Sequence, residues 1–169
     1  MRIQNENFSI SGYEWDVRAS GRGGPGPNIW DDANAFVDRA GRLHLQLTNA
    51  TNAAGDTEWH SVELATQMSR FRTIPVPGDW TDRPTRPNVV LGLFKYPTPD
   101  VAPDGTNEID IEFAQWGRAT ANNADYVVYP QSPPRTRADN VEFMVALKGS
   151  YTTHRILWQS TQVGFQSLY

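Results

Sequence analysis

The sequence predicts an all-β fold, an antiparallel β-sandwich of short strands, and two observations carry that prediction. Twelve prolines and thirteen glycines are spread along 169 residues, and the stretches between them are short and alternate apolar with polar side chains. Alternation with period two marks half-buried strands, and Gly and Pro punctuate turns. No segment holds a 3.6-residue apolar period for three turns, so 33–37 is read as one short helical turn and nothing longer. With 38% hydrophobic residues the chain has enough apolar surface for one domain with a core. Residues 1–169 contain no interdomain linker and no internal repeat, and are read as a single domain.

The elements follow in chain order. Leu43, Leu45 and Leu47 alternate with His44, Gln46 and Thr48, so three leucines are expected inward and three polar groups outward. Segment 88–94 is nearly continuous and apolar, as expected for a strand covered on both faces. Segments 141–147 and 152–158 read as later strands. Residues 21–27, 75–87 and 97–100 carry the turn chemistry of loops.

Composition narrows the function. The net charge is −4, from 15 basic and 19 acidic residues, and no basic run is long enough to track a line of phosphates, so no nucleic-acid partner is expected. There is no cysteine, which removes disulfides and thiolate metal sites. His44, His60 and His154 lack metal-ligand spacing, and no metal residues are assigned. No apolar run approaches the roughly 20 residues that span a bilayer, and the first residues lack the apolar stretch of a signal peptide, so no membrane partner is expected.

Chemistry concentrates at Glu108, Asp110 and Glu112. At positions i, i+2 and i+4 of a strand these three carboxylates project from one face, while Ile109, Ile111 and Phe113 anchor the other. Three like charges in a row destabilise a strand unless water screens them or a function uses them. The plain alternative is a solvated sheet face. The Cα atoms of Glu108 and Glu112 would lie about 13 Å apart, and inward-leaning side chains narrow the carboxyl gap to roughly 5 Å, the separation of a retaining glycosidase. In that scheme Glu108 attacks the anomeric carbon, and Glu112 protonates the departing oxygen and then activates water. Asp110 orients Glu108 and shares a proton with it. Trp116 follows this strand and is read either as a sugar-stacking ring or as core.

The run Asn107-Glu108-Ile109-Asp110-Ile111-Glu112-Phe113 resembles the signature of glycoside hydrolase family 16, in its regular, unbulged form. Ser11-Gly12-Tyr13-Glu14-Trp15, Gly24-Pro25-Gly26-Pro27-Asn28, Trp59-His60-Ser61-Val62-Glu63 and Leu91-Gly92-Leu93-Phe94-Lys95-Tyr96 agree with the family's order. The resemblance implies a concanavalin A-like jelly roll, with Asn28, Glu63, Phe94 and Tyr96 on the glycone side of a cleft. The residues alone also admit Asn28 as a turn cap, Phe94 as core and Tyr96 as a strand end.

What the family implies is a retaining endo-glycosidase acting on a β-linked polysaccharide, most simply a β-1,3-1,4- or β-1,3-glucan. A transglycosylase on β-glucan or xyloglucan and a non-catalytic carbohydrate-binding module are the competing readings. No cofactor is required, and a structural calcium, occasional in the family, has no support in this sequence. The resemblance further implies a secreted or cell-surface protein, monomeric if the sandwich is complete. Departures are the absence of a tryptophan at 105–107, an altered strand at 68–75, and an end at Leu168-Tyr169 where family members continue, so the resemblance implies a C-terminally incomplete domain.

Overall fold

The computed structural model describes residues 7–10, 12–18, 21–23, 26–66, 74–77, 87–97, 106–129, 139–146 and 151–168. These residues form sixteen strands and one 3-10 turn, with no α-helix among them, so the all-β expectation holds. The chain divides into two compact units, Met1–Ser69 and Arg70–Tyr169.

The N-terminal unit carries β1 (Asn7–Ile10), β2 (Tyr13–Val17), β3 (Arg22–Gly23), β4 (Asn28–Trp30), β5 (Ala35–Val37), β6 (Leu43–Leu45), β7 (Thr48–Thr51), β8 (Thr57–Ser61) and β9 (Leu64–Ala65). They assemble as sheets β1-β2-β9 and β3-β4-β8-β7 and the hairpin β5-β6. All pairings are antiparallel except β4 with β8. Two turns use one device: Asp38 Oδ1 accepts from the N–H groups of Ala40 and Arg42, and Asn52 Oδ1 from those of Ala54 and Asp56. Such side-chain acceptors imitate a backbone turn and fix the hairpin register. Gly55, at φ 90°, supplies the left-handed residue that the second turn needs.

Two expectations fail in this unit. The 33–37 turn is a 3-10 turn over Asp32–Asn34 only, capped by Asp31, whose carboxylate accepts from the Ala33 N–H, and it gives way at once to β5. The leucine pattern is inverted: Leu43, Leu45 and Leu47 are 37%, 46% and 44% exposed. His44 instead stacks on Phe36 at 4.8 Å and contacts Asp38 at 3.1 Å. Alternation sets which residues share a face, but the partner ring and carboxylate decide which face is covered.

The C-terminal unit carries β10 (Ile74–Pro77), β11 (Leu91–Lys95), β12 (Ile109–Phe113), β13 (Ala124–Val128), β14 (Asp139–Phe143), β15 (Tyr151–Trp158) and β16 (Val163–Leu168). They form two antiparallel sheets, β11-β12-β13-β14 and β10-β15-β16. One face of the first sheet packs on the second as a sandwich. Ile111, Phe113, Ala124 and Val145 are the buried centre, joined by Leu91, Leu93, Tyr126 and Phe143, and met by Ile156 of β15 and Phe165 of β16. Burial of Ile111 and Phe113 contributes ~1.5–3 kcal/mol each, which fixes the register of β12 against slippage. The strand expected at 141–147 is shorter, ending at Phe143, and the 88–94 strand starts at Leu91. Phe94 is 41% exposed, so β11 is covered on one face only.

A polar chain crosses the sandwich interior. Tyr126 Oη and Ser167 Oγ are 2.6 Å apart, Ser167 Oγ lies 2.8 Å from His154 Nδ1, and Thr152 Oγ1 lies 2.7 Å from His154 Nε2. His154 is buried and packs on Phe113, ring centroids 4.7 Å apart. Burial lowers its pKa, so the ring stays neutral. Its two nitrogens are spent on these partners, which makes it a structural histidine.

Candidate active site

The face of the β11-β12-β13-β14 sheet turned away from β15 and β16 is acidic, and β12 explains why. Ile109, Ile111 and Phe113 are buried on the sandwich side, so Asp110 and Glu112 must emerge on the other. Glu108 precedes β12 but keeps its alternation, because its carbonyl accepts from the Tyr129 N–H at 2.9 Å and extends the β12–β13 ladder by one residue. Asn107, at φ 55°, turns the chain into that strand. Asparagine tolerates this left-handed geometry better than other residues with a Cβ. Thr106 beside it is 1% exposed and anchors the turn.

The three acids feel one another. Asp110 is 5% exposed, its Oδ1 is buried with no hydrogen-bond partner, and burial with repulsion from Glu108, Glu112 and Asp125 pushes its pKa up to about 8. At neutral pH it is therefore mostly a protonated acid, able to donate to a neighbouring carboxylate. Glu112 is also raised, by burial first and then by Asp125 and Glu108. A raised acid and a proton-sharing carboxyl on one strand are the parts of general-acid chemistry.

Aromatic groups border them. Phe94 stands opposite Asp110 and Gly92 opposite Glu112 in the β11–β12 register. Phe94 and Tyr96 stack with centroids 5.6 Å apart. A Cβ at Gly92 would come within 3.3 Å of the Phe94 ring, so glycine there lets the ring lean along the strand beside Glu112. Past β12, Trp116 and Gly117 have φ 45° and 78°, and Arg118 N–H closes onto Gln115 C=O at 2.8 Å. Two left-handed central residues make this a type I′ turn, a conformation normally filled by Gly, Asn or Asp. Trp116 is thus held in strain at the end of the acidic strand, 36% exposed.

The structure brings Glu108, Asp110, Glu112, Phe94 and Tyr96 together on one sheet face. Asn28 and Glu63 belong to the N-terminal unit. Asn28 opens β4 opposite Gly23, and Glu63 is bridged by Arg18 at 2.9 Å. Asp125 was not singled out by spacing. It lies directly opposite Glu112 and is 6% exposed; its signal was a lone acid in the otherwise uncharged alternation of 124–128. Among the described residues, no three His, Cys, Asp or Glu side chains are grouped to hold a metal ion.

Three solved structures share this fold. The first is a prokaryotic β-1,3-1,4-glucanase (lichenase) derived from a mouse hindgut metagenome, with TM-score 0.60 and 20% identity over 95% of this chain and 71% of its own. The second is a glycosyl hydrolase family protein from Mycobacterium fortuitum, with TM-score 0.52, 17% identity, 92% of this chain and 65% of its own. The third is a β-1,3-glucanase from Mycobacterium marinum, with TM-score 0.50, 15% identity, 94% of this chain and 66% of its own. The chain therefore has the jelly-roll architecture of these proteins and spans about two thirds of their length. No protein-family model and no curated protein matches the sequence.

Proposed function

We propose that this chain is the catalytic region of a family 16-like endo-hydrolase that cleaves a β-linked glucan with retention of configuration. The observation that carries the reading is the carboxylate trio on one face of β12 and the residue before it, with burial and repulsion from neighbouring acids raising the pKa values of Asp110 and Glu112. Glu108 is the nucleophile. Its carboxylate forms a bond to the anomeric carbon as the bond to the leaving sugar breaks, and Glu112 gives its proton to the departing oxygen. Glu112, now a carboxylate, takes a proton from water, whose oxygen displaces Glu108. Protonated Asp110 donates to Glu108 in the resting state and steadies the charge returned to it when the sugar leaves.

Phe94 and Tyr96 offer stacked ring faces beside these acids, and sugar rings present apolar faces of axial hydrogens to such surfaces. The fold shared with a lichenase and a β-1,3-glucanase favours mixed-linkage or β-1,3-linked glucan as the substrate. A polymer of this kind is met outside the cell, so the reading implies an exported or cell-surface protein. The test is release of reducing ends from lichenan and laminarin. Activity is expected on at least one, and a loss of about 10³-fold or more is expected in Glu108→Gln. Folded protein that releases nothing from either glucan, or a Glu108→Gln variant as active as the parent, overturns the proposal.

A further inference from the structure

Asp125 has no part in the scheme above, yet its surroundings are those of a working group. In the β12–β13 ladder it stands directly opposite Glu112, and such cross-strand partners have Cβ atoms about 5 Å apart on the same face. It is 6% exposed, and its Oδ1 is buried with no hydrogen-bond partner. Oδ2 has Asn140 Nδ2 at 3.5 Å, a long contact. The row continues outward to Glu142, opposite Asp125 on β14, and Arg118 lies 3.7 Å from Glu142.

Three acids therefore cross three adjacent strands, and among the described residues a cation stands beside them only at the outer end. From β11 the row is closed by Gly92, which brings no charge. Along β12 itself Glu112 faces Asp110 and Glu108. Among the described residues no cation pairs with either Glu112 or Asp125. Two adjacent, largely buried carboxyls without a cation do not both ionise near neutral pH, and the lower-energy arrangement is one proton shared between them.

We propose that Asp125 is a positioning residue for Glu112, the two carboxyls holding one proton between them so that Glu112 stays an acid until the departing sugar oxygen takes that proton. The inference rests on Glu112 being the acid/base group. When the proton leaves, two carboxylates are left side by side. Their repulsion makes Glu112 a stronger base towards water, and the proton taken from water restores the pair. The cycle neither gains nor loses protons. Burial raises Asp125 as well, against the lowering effect of hydrogen bonding from Asn140, Val141 and Tyr126, with Glu142 adding to the rise, and Asp125 is the largest charge acting on Glu112.

The test is Asp125→Asn, which keeps shape and removes charge. In the free protein, Glu112 is followed by the carbon NMR shift of its side-chain carboxyl across pH. In the same samples kcat/KM on lichenan is measured across pH. The Glu112 midpoint and the alkaline limb of kcat/KM are both expected to fall by about one pH unit in Asp125→Asn and to return in Asp125→Glu. Should the Asn variant misfold, Asp125→Ser gives the same readout with a smaller side chain. An unchanged Glu112 midpoint overturns the inference, whatever the activity. Folded wild type without activity on lichenan or laminarin, but with a Glu112 midpoint that falls in the variant, overturns the proposed function and leaves the shared proton standing.

Discussion

Phe94 stands directly opposite Asp110 across the β11–β12 ladder, with its ring exposed and stacked on Tyr96. An exposed ring contributes little to the fold, so Phe94→Ala is expected to change stability by only about 0.5 kcal/mol. If the ring serves as a sugar platform, losing about 1 kcal/mol of stacking corresponds to a rise of roughly fivefold in KM on glucan with kcat near the parent value. Steady-state kinetics and a thermal melt separate the roles. A lowered Tm with unchanged KM would mark Phe94 as a packing residue only.

Asp110 is buried at a cost in stability. Its pKa is about 8 in the fold against 3.8 in the unfolded chain, so between those values the native state binds more protons than the unfolded state. The Asp110 contribution to stability therefore falls as pH rises from about 4 to about 8, and levels off above. Asp110→Asn removes this penalty and is expected to raise Tm at pH 7 by at least ~3 °C, with little change at pH 4, while lowering kcat. Melts at the two pH values decide it. An equal effect at both would show that Asp110 does not titrate in that window.

Much of this was legible in the residues because period two is a strong constraint. Ile109, Ile111 and Phe113 must go one way, so Glu108, Asp110 and Glu112 go the other, and the structure agrees. What alternation cannot supply is the identity of the covered face when both sides carry some apolar character. At 43–47 the Phe36 ring and Asp38 claim His44 and leave the leucines out. At 88–94 Phe94 lies on the acidic face and is exposed. Asp125 was missed for a related reason: cross-strand neighbours depend on register, which turns and core packing set over the whole sheet. Of the departures from the family, residues 68–73 of the altered strand at 68–75 and Gly105 of the stretch at 105–107 lie outside the described residues.

His154 separates structural from catalytic histidines. It is buried on the sandwich side of the sheet with Thr152 and Ser167 on its two nitrogens. Removing it leaves those hydroxyls short of a partner, so His154→Leu is expected to lose about 1–3 kcal/mol. Its pKa is lowered in the fold, so the unfolded state takes up the proton first. The His154 contribution to stability is accordingly lost as pH falls below about 6.5, and the variant lacks that part of the slope. Specific activity per folded molecule should stay within a few-fold of the parent. A drop of 100-fold with an unchanged melt would instead give the ring a chemical role.

Trp116 sets strain against use. A bulky residue at φ 45° in a type I′ turn carries about 1–2 kcal/mol that Asn would largely relieve. Nothing in the hairpin geometry demands tryptophan, since Gly117 already supplies the second left-handed residue. A strained, partly exposed aromatic at the end of the acidic strand is the kind of outlier that function maintains. Trp116→Asn is therefore expected to raise Tm by a few degrees, on the scale of ~2–4 °C per kcal/mol, and to weaken binding of glucan oligosaccharides. Melting and calorimetric titration on the same sample test both halves. A variant that melts lower would show that packing of the indole outweighs the strain of the turn. One that melts higher but binds as tightly would remove Trp116 from the sugar-binding surface.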